Sequence, residues 1–533
     1  MHRPHPAEAE VADELAEVRP DLLSRYATEL PGARAAVLTR LWRALAHEPL
    51  PWITGRERSR EGLTLRLRDG RRLHGPAADP YATDAYVTVV HLGETAYDHP
   101  ARLMTALAVP HGDDFAAELA HSVASLALSR AGAGSPSKEW TSKEWPLSDA
   151  WPLSDWEWEQ RVVDGHPYHP GCRSRPGFSV AEQLAYGPEH RPVVRLRTVP
   201  VRAAECLVTG VWPDELRDGG RLLLPAHPWQ AAHVLKRNGD EERVGGSDVR
   251  DGGIAAHPLM SLRTLAVPGG PHVKTALSTR LTSSVRDISV YSVGLSATLS
   301  SFAESLAARA DGLLHVTRTL GAAAAGTPDL AAVLRESPQT YAATGRGERV
   351  VPVAALATTG LPESPSWLAD FTRLTLTVGL RLLELGVALE AHGQNLLVVL
   401  SRTGAPLRLV YRDLADIRIS PARLARHGIP VPELTGRIVT NDERALRRKL
   451  FGSLVAGALA ATAGSARALG TALEAAVRDQ PSTPDLAALV DEPLPAKALT
   501  LMRMSPGTPG DQWARLPNPL APRPVLEPGA SDQ

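Results

Sequence analysis

The chain of 533 residues has only two cysteines, Cys172 and Cys206, which excludes a disulfide scaffold and a cysteine-rich metal site. It has almost no net charge: 58 Lys and Arg face 59 Asp and Glu, for a formal value of −1. Such a balance gives no long-range attraction to nucleic acid or to an anionic membrane. Aromatic residues make up only 5% of the chain. Long apolar runs are missing too. The stretch FGSLVAGALAATAG from Phe451 is too short to span a bilayer and runs on towards Arg467. The N-terminus is acidic and lacks the apolar core of a secretory signal, so the expectation is a cytoplasmic protein. GxxxxGK[ST], HExxH and a strand-bound GxGxxG do not occur.

What remains is ordinary globular composition, 43% hydrophobic and 22% charged, in a chain long enough for several lobes. AEAEVADELAEV and ARAAVLTRLWRALA carry apolar residues at helical spacing, and LTLRLRDGRRLHG alternates across an Asp-Gly turn as a hairpin does. DDFAAELAHSVASLALSRA is a further helix. The segment SKEWTSKEWPLSDAWPLSDWEWEQ repeats SKEW and WPLSD and holds Trp140, Trp145, Trp151, Trp156 and Trp158, reading as a surface loop born of local duplication. From His166 to about Gly360 short strand-like runs alternate with Gly/Pro turns, predicting a largely antiparallel sheet. FTRLTLTVGLRLLELG opens a helical lobe, LLVVLSRTGAPLRLVY is a hairpin, and TNDERALRRKL starts another helix with Thr440 or Asn441 as cap. The fold class is α+β. The expected divisions are 1–135 (helical with a hairpin), 136–160 (Trp-rich insertion), 161–365 (sheet), 366–504 (helical with a hairpin) and a Pro/Gly-rich tail, 505–533.

Four polar clusters stand out. HPYHPGCRSRPGF places His166, His169, Arg173 and Arg175 in a proline-stiffened loop, suited to holding an anion or, alternatively, satisfied by backbone groups. Ser261, Arg263, Lys274, Thr282, Ser283 and Arg286 interleave with apolar residues. On a strand, that alternation puts cations and hydroxyls on one face, fit for polyphosphate or carboxylate oxygens or simply solvated. EAHGQN ends a long helix with Glu390, His392 and Asn395, and YRDL offers Asp413 after a strand. If the hairpin between them closes, Asn395 and Asp413 straddle it, the logic of a nucleotide–Mg²⁺ site without a P-loop.

In this order the clusters resemble the IucA/IucC family of NRPS-independent siderophore synthetases. HPYHPGCRSRPGF matches its HPxHPxxKxRxGF signature with Arg173 in place of Lys. Ser261-x-Arg263-Thr264, the Lys274…Thr282-Ser283…Arg286 element, HGQN, the Arg412-Asp413 pair, and Lys497, Arg503 and Asn518 near the end match the rest. The resemblance implies a cupped-hand architecture with three lobes, its central antiparallel palm flanked by an N-terminal lobe and a helical C-terminal one. It also implies an ATP-dependent acid–amine ligase that adenylates a polycarboxylate, citrate first among them, and passes it to an amine or hydroxylamine. The implied roles are Ser261, Arg263, Lys274, Thr282, Ser283 and Asn395 on ATP, and His166, His169, Arg173, Arg286 and His392 on carboxylates. Glu390, Asn395 and Asp413 would hold Mg²⁺, with Arg286, His392 and Lys274 in the chemistry. Partners are then small molecules, with no nucleic acid and no membrane, and a homodimer as the assembly to test. The rival classes are an ATP-dependent phosphotransferase and a non-catalytic carboxylate or iron-chelate binder.

Overall fold

In a computed structural model, the structure describes residues 5–133, 151–235, 253–281, 284–434 and 436–521. Thr282 and Ser283, and Trp140 and Trp145 of the repeat, lie outside the described residues. The N-terminal part packs helices Pro6–Val18, Leu23–His47 and Gly112–Gly132 against a five-stranded antiparallel sheet. The Asp-Gly hairpin is part of that sheet, pairing Leu65 with Leu73. Leu38, Leu41, Trp42 and Leu45, at helical spacing, are fully buried there.

The centre is a nine-stranded sheet among the described residues, antiparallel throughout. Its order runs Leu207–Gly210, Thr319–Ala324, Ala331–Arg335, His272–Thr275, Thr264–Ala266, Ile254–Pro258, Val194–Arg202, Arg221–Ala226, Arg217–Asp218. Side chains alternate between its faces. Leu265, Val273, Ala332 and Leu334 point back into an apolar core with Leu196, Val199 and Leu224. The opposite, front face is roofed at one end by helix Val290–Ala307, whose Val293 packs on Ala322, Ala324, Ala331 and Val333. At the other end lies the short helix Asp155–Gln160, with Asp155 Oδ2 2.7 Å from His272 Nε2 and Trp156 stacked on His257 at 4.9 Å. Between the two roofs stand Lys274, nearly buried, and Arg335.

The C-terminal part is built on helix Pro365–Leu385 and the hairpin Leu396–Leu400 with Pro406–Tyr411, which joins strands Leu314–Val316 and Arg349–Pro352 in a four-stranded sheet. No single helix among the described residues is long and apolar enough to cross a membrane.

Four readings need correction. Helix Val290–Ala307 occupies a stretch whose Val, Ser and Thr content reads as strand; its Ser289 cap and the apolar ledge it covers outweigh local propensity. The Trp-rich segment is no surface loop at its end, because Asp155, Trp158 and Glu159 are buried. The helix from Glu443 is capped by Asp442, not by Thr440 or Asn441. The tail contributes strand Trp513–Leu516, paired with Leu494–Lys497.

Candidate functional site

Antiparallel register sets the core of the site. Pairing of Lys274 with Val333 and of His272 with Arg335 puts Lys274 and Arg335 on one face, diagonal to each other. The hairpin brings Asp413 to them: Lys274 Nζ donates to Oδ2 at 2.7 Å and Arg335 Nη2 to Oδ1 at 3.0 Å. Asp413 has φ +74°, a left-handed conformation that Asp and Asn tolerate better than other residues with a side chain. Burial alone would raise its carboxyl, but Arg335 and Lys274 hold it well below the usual range. Burial pulls the Lys274 ammonium down, against the pull of Asp413.

The other clusters converge here. Arg263 Nη1 donates to the carbonyls of Arg286 and Asp287 at 2.7 and 2.6 Å, tying the turn at Ser261 to the strand end at Arg286. Ser261 Oγ accepts from Thr264 N at 3.1 Å, closing that turn around a left-handed Leu262. In HGQN, Gly393 abuts the backbone of Ala354, where a Cβ would sit 3.0 Å from its nitrogen. Asn395 Nδ2 donates to Glu390 O at 3.2 Å. The Tyr411 hydroxyl bridges the two acids' backbones, accepting from Glu390 N and donating to Asp413 O, both at 3.2 Å.

His166 and His169 stand with ring centroids 6.2 Å apart. His166 is enclosed by protein yet open to solvent, as the wall of a deep cleft is. Burial lowers all three histidines, His166, His169 (to about 3) and His392, with His392 and His169 acting further on His166 and Arg286 on His169. They are therefore neutral near pH 7, each with a ring nitrogen able to accept a hydrogen bond.

Buried neutral histidines also make stability fall in acid. His169 and His227 are both pushed to about 3 by burial, so below the unfolded value of about 6.5 only the unfolded chain binds their protons. Their contribution is complete above pH 6.5 and is lost as pH falls towards 3. Each should cost about 2 kcal/mol by pH 5. Melting curves at pH 7.5, 6 and 5 should show a steady drop; a constant midpoint would contradict this.

One expectation fails. Arg173 does not face the cleft. It is 6% exposed, its Nε donates to Val163 O at 2.7 Å, its Nη2 donates to Val162 O, and Nη1 lies 3.5 Å from the buried carboxylate of Glu189. Arg175 shares that carboxylate at 2.8 Å. The guanidinium braces the His-Pro loop. Arg173→Lys should therefore lower the melting temperature and move the Michaelis constants for acid and nucleotide together, since each lost charge-assisted bond is worth about 1.5–3 kcal/mol. A selective rise for the acid at unchanged melting temperature would restore the substrate contact.

The acid set alone is no closed metal site. Glu390 Oε1 is shared by Lys449 and Lys497 at 3.1 and 3.0 Å, and Asp413 is held by its own cations. Among the described residues no group of three or more His, Cys, Asp or Glu is placed to hold a metal. Mg²⁺ needs only one or two carboxylates when phosphate oxygens complete its shell, so Glu390 and Asp413 fit the ion only together with a nucleotide.

Sequence reasoning missed Arg335, a lone cation ending the apolar strand AAVLR, and Glu159. Glu159 Oε2 accepts from Met260 N at 2.8 Å and Oε1 lies 2.6 Å from Arg412 Nη2. One buried carboxylate thus joins the residue before Ser261 to the residue before Asp413.

The fold and site define an α+β protein with a cation-bearing sheet face. Residues 154–358 match the model of the IucA / IucC family, and residues 365–506 match one described as ferric iron reductase FhuF-like transporter. The central part of the chain is thus similar to the IucA / IucC family. It is 25% identical over 320 residues to a citryl-spermidine/3,4-dihydroxybenzoyl-citryl-spermidine:spermidine ligase of Bacillus anthracis, covering 49% of this chain and 51% of the relative. It is 24% identical over 361 residues to a 2-[(L-alanin-3-ylcarbamoyl)methyl]-3-(2-aminoethylcarbamoyl)-2-hydroxypropanoate synthase of Staphylococcus aureus, covering 55% and 58%. These alignments span little more than half the length of the curated relatives. The whole fold is shared with the petrobactin biosynthesis protein AsbB of Bacillus anthracis (TM-score 0.73, 18% identity, 97% of this chain and 98% of that one). It is likewise shared with ATP-bound aerobactin synthetase IucA of Klebsiella pneumoniae (TM-score 0.69, 20% identity, 92% and 99%). The α+β, three-lobed expectation holds.

Proposed function

We propose that the chain is an ATP-dependent acid–amine ligase of siderophore assembly, adenylating a polycarboxylate, citrate first, and condensing it with an amine or hydroxylamine. The observation that carries this is the convergence of Lys274, Arg335, Arg263 and Arg286 with three neutral histidines around Asp413. A carboxylate can approach a polyphosphate only where both anions are neutralised in place. The cations Lys274 and Arg335 of the sheet and Arg263 of the turn beside it suit the nucleotide, along with Ser261 and Asn395 and, outside the described residues, Thr282 and Ser283. Arg286 lies between that set and His169, the place for a cation serving both the α-phosphate and the attacking carboxylate. His166, His169 and His392 suit the remaining carboxylates. His392, neutral near pH 7, is the acceptor for the nucleophile's proton. Mg²⁺ bound with the nucleotide would spread the pyrophosphate charge, with Asp413 and Glu390 as its protein ligands.

The substrate carboxylate oxygen bonds to the α-phosphorus as the bond to pyrophosphate breaks. The amine nitrogen then bonds to the acyl carbon as AMP leaves. Incubation with ATP, Mg²⁺, citrate and hydroxylamine should yield a hydroxamate with one pyrophosphate each. ADP with a phosphorylated product would make the chain a phosphotransferase, and neither product with any carboxylate would leave a binding protein.

A further inference from the structure

A second cavity, of about 210 Å³, lies behind the His-Pro loop. Helix Leu23–His47 forms one wall with Arg40 and Arg43, one turn apart; Thr83 and Asp84 also line it, as does Pro167 of the loop. Arg40 is engaged through all three nitrogens, donating to Pro167 O at 3.1 Å, Asp164 O at 3.3 Å and Cys172 Sγ at 3.3 Å. Arg130 is spent on Asp164 at 2.9 and 2.5 Å. Arg43 is not. It is 6% exposed, its Nε donates to Pro80 O at 2.6 Å, and its guanidinium lies 4.3 Å over the Tyr168 ring. Neither Nη group has an acceptor among the described residues, and neither is sealed away from the cavity. The neighbouring acid Glu48 is engaged elsewhere, accepting from Thr500 N and Leu501 N at 3.2 and 2.7 Å. A buried guanidinium with two idle donors is costly unless an anion meets it. On the cavity wall Asp84 is exposed, with no partner among the described residues.

The wall is shared with the cleft. Pro167 faces this cavity, and its neighbour His166 lies within electrostatic reach of Arg40 and Arg43 on one side and of His169 and His392 on the other.

We propose that this cavity is the pocket for the nucleophile and that it selects an amino acid whose side-chain amine reacts. The α-carboxylate forks onto the Nη groups of Arg43, Asp84 takes the α-ammonium, and the side chain passes His166 to reach the acyl group. The side-chain nitrogen's lone pair forms the C–N bond, the acyl C–O bond breaks to release AMP, and the nitrogen's proton passes to a neutral histidine of the cleft. A volume near 210 Å³ suits a molecule of amino-acid size and is below the usual range of about 300–1,000 Å³ for larger ligands. This assignment rests on the ligase reading and sharpens it.

The test compares matched nucleophiles with the full-length enzyme, ATP, Mg²⁺ and citrate: ornithine against putrescine, lysine against cadaverine, 2,3-diaminopropionate against ethylenediamine. Each pair differs only by the carboxylate. At least one amino acid should exceed its diamine tenfold or more in kcat/KM. In Arg43→Lys the KM for that amino acid should rise at least tenfold and the preference collapse. Asp84→Asn, at an exposed position that folding does not need, should weaken the same preference if the Arg43 variant does not fold. Diamines used as well as or better than the amino acids, or an Arg43 variant whose citrate KM alone rises, would overturn the pocket while leaving the ligase. Wild-type enzyme that forms no hydroxamate and no pyrophosphate would overturn the ligase, and the pocket with it.

Discussion

Asp413→Asn should slow adenylation by about two to four orders of magnitude and lower the melting temperature as well. Asn keeps the size of the side chain and tolerates the left-handed backbone, so the change is chiefly one of charge. It removes the partner of two cations, Lys274 at 2.7 Å and Arg335 at 3.0 Å. Lys274 is 6% exposed and already pulled down by burial, with Asp413 the first group opposing that pull. Without it the ammonium, already brought to about 7, is pulled lower still, and the nucleotide loses a fixed charge. Removing one partner of a buried pair costs about 3–5 kcal/mol; with Asp413 a quarter exposed, the lower end applies. Burial already brings Lys274 to about 7 with Asp413 in place, so without Asp413 the lysine recharges only at lower pH, and the variant should regain rate at a lower pH than the native enzyme does. A folded variant with native rate and melting temperature would contradict the role.

Glu159→Gln should be nearly as damaging, although Glu159 touches no substrate. Its carboxylate is 0% exposed and joins Met260 N to Arg412, whose Nε and Nη2 in turn hold Gln394 O at 3.0 and 2.8 Å. The turn at Ser261, the HGQN segment and Asp413 are thus aligned through one side chain. Gln can still accept from Met260 N, but its amide confronts a buried guanidinium with no compensating charge. Stability should drop by about 3–5 kcal/mol. Misplacement of reacting groups by about 1 Å costs about a hundredfold, so kcat should fall and the KM for ATP rise. The pH profile should keep its shape, since Glu159 positions and transfers no proton. Unchanged kinetics in a folded variant would remove it from the account.

The motifs announced most of the cleft because its ligands sit at fixed spacings on strands and tight turns. Lys274, Arg263, Arg286, His169, His392 and Asp413 are brought together from four stretches of chain, as register and the closed hairpin require. What could not be read is where a long side chain spends its donors. Arg173 looked like a substrate contact because its loop is rigid, yet it is consumed by two backbone carbonyls and Glu189. Nothing local marks Glu189 as that partner, and Glu159 closes a repeat that reads as low complexity. Arg335 and Arg43 sit alone in apolar elements, AAVLR and RLWRALA, where nothing local marks them. Helix Val290–Ala307 was hidden by β-branched and hydroxyl residues, which favour strands until a sheet face offers burial to a helix.

The most direct measurement follows the carboxylate oxygen. With citrate carrying ¹⁸O in its carboxylates, attack on the α-phosphorus followed by amide formation must leave one ¹⁸O in the phosphate of AMP and none in pyrophosphate. Mass spectrometry of the nucleotide products from one incubation with ATP, Mg²⁺ and hydroxylamine reads this out. One label per AMP, matched to one hydroxamate, is the predicted result. Label in inorganic phosphate with ADP as the nucleotide product would contradict the adenylating mechanism.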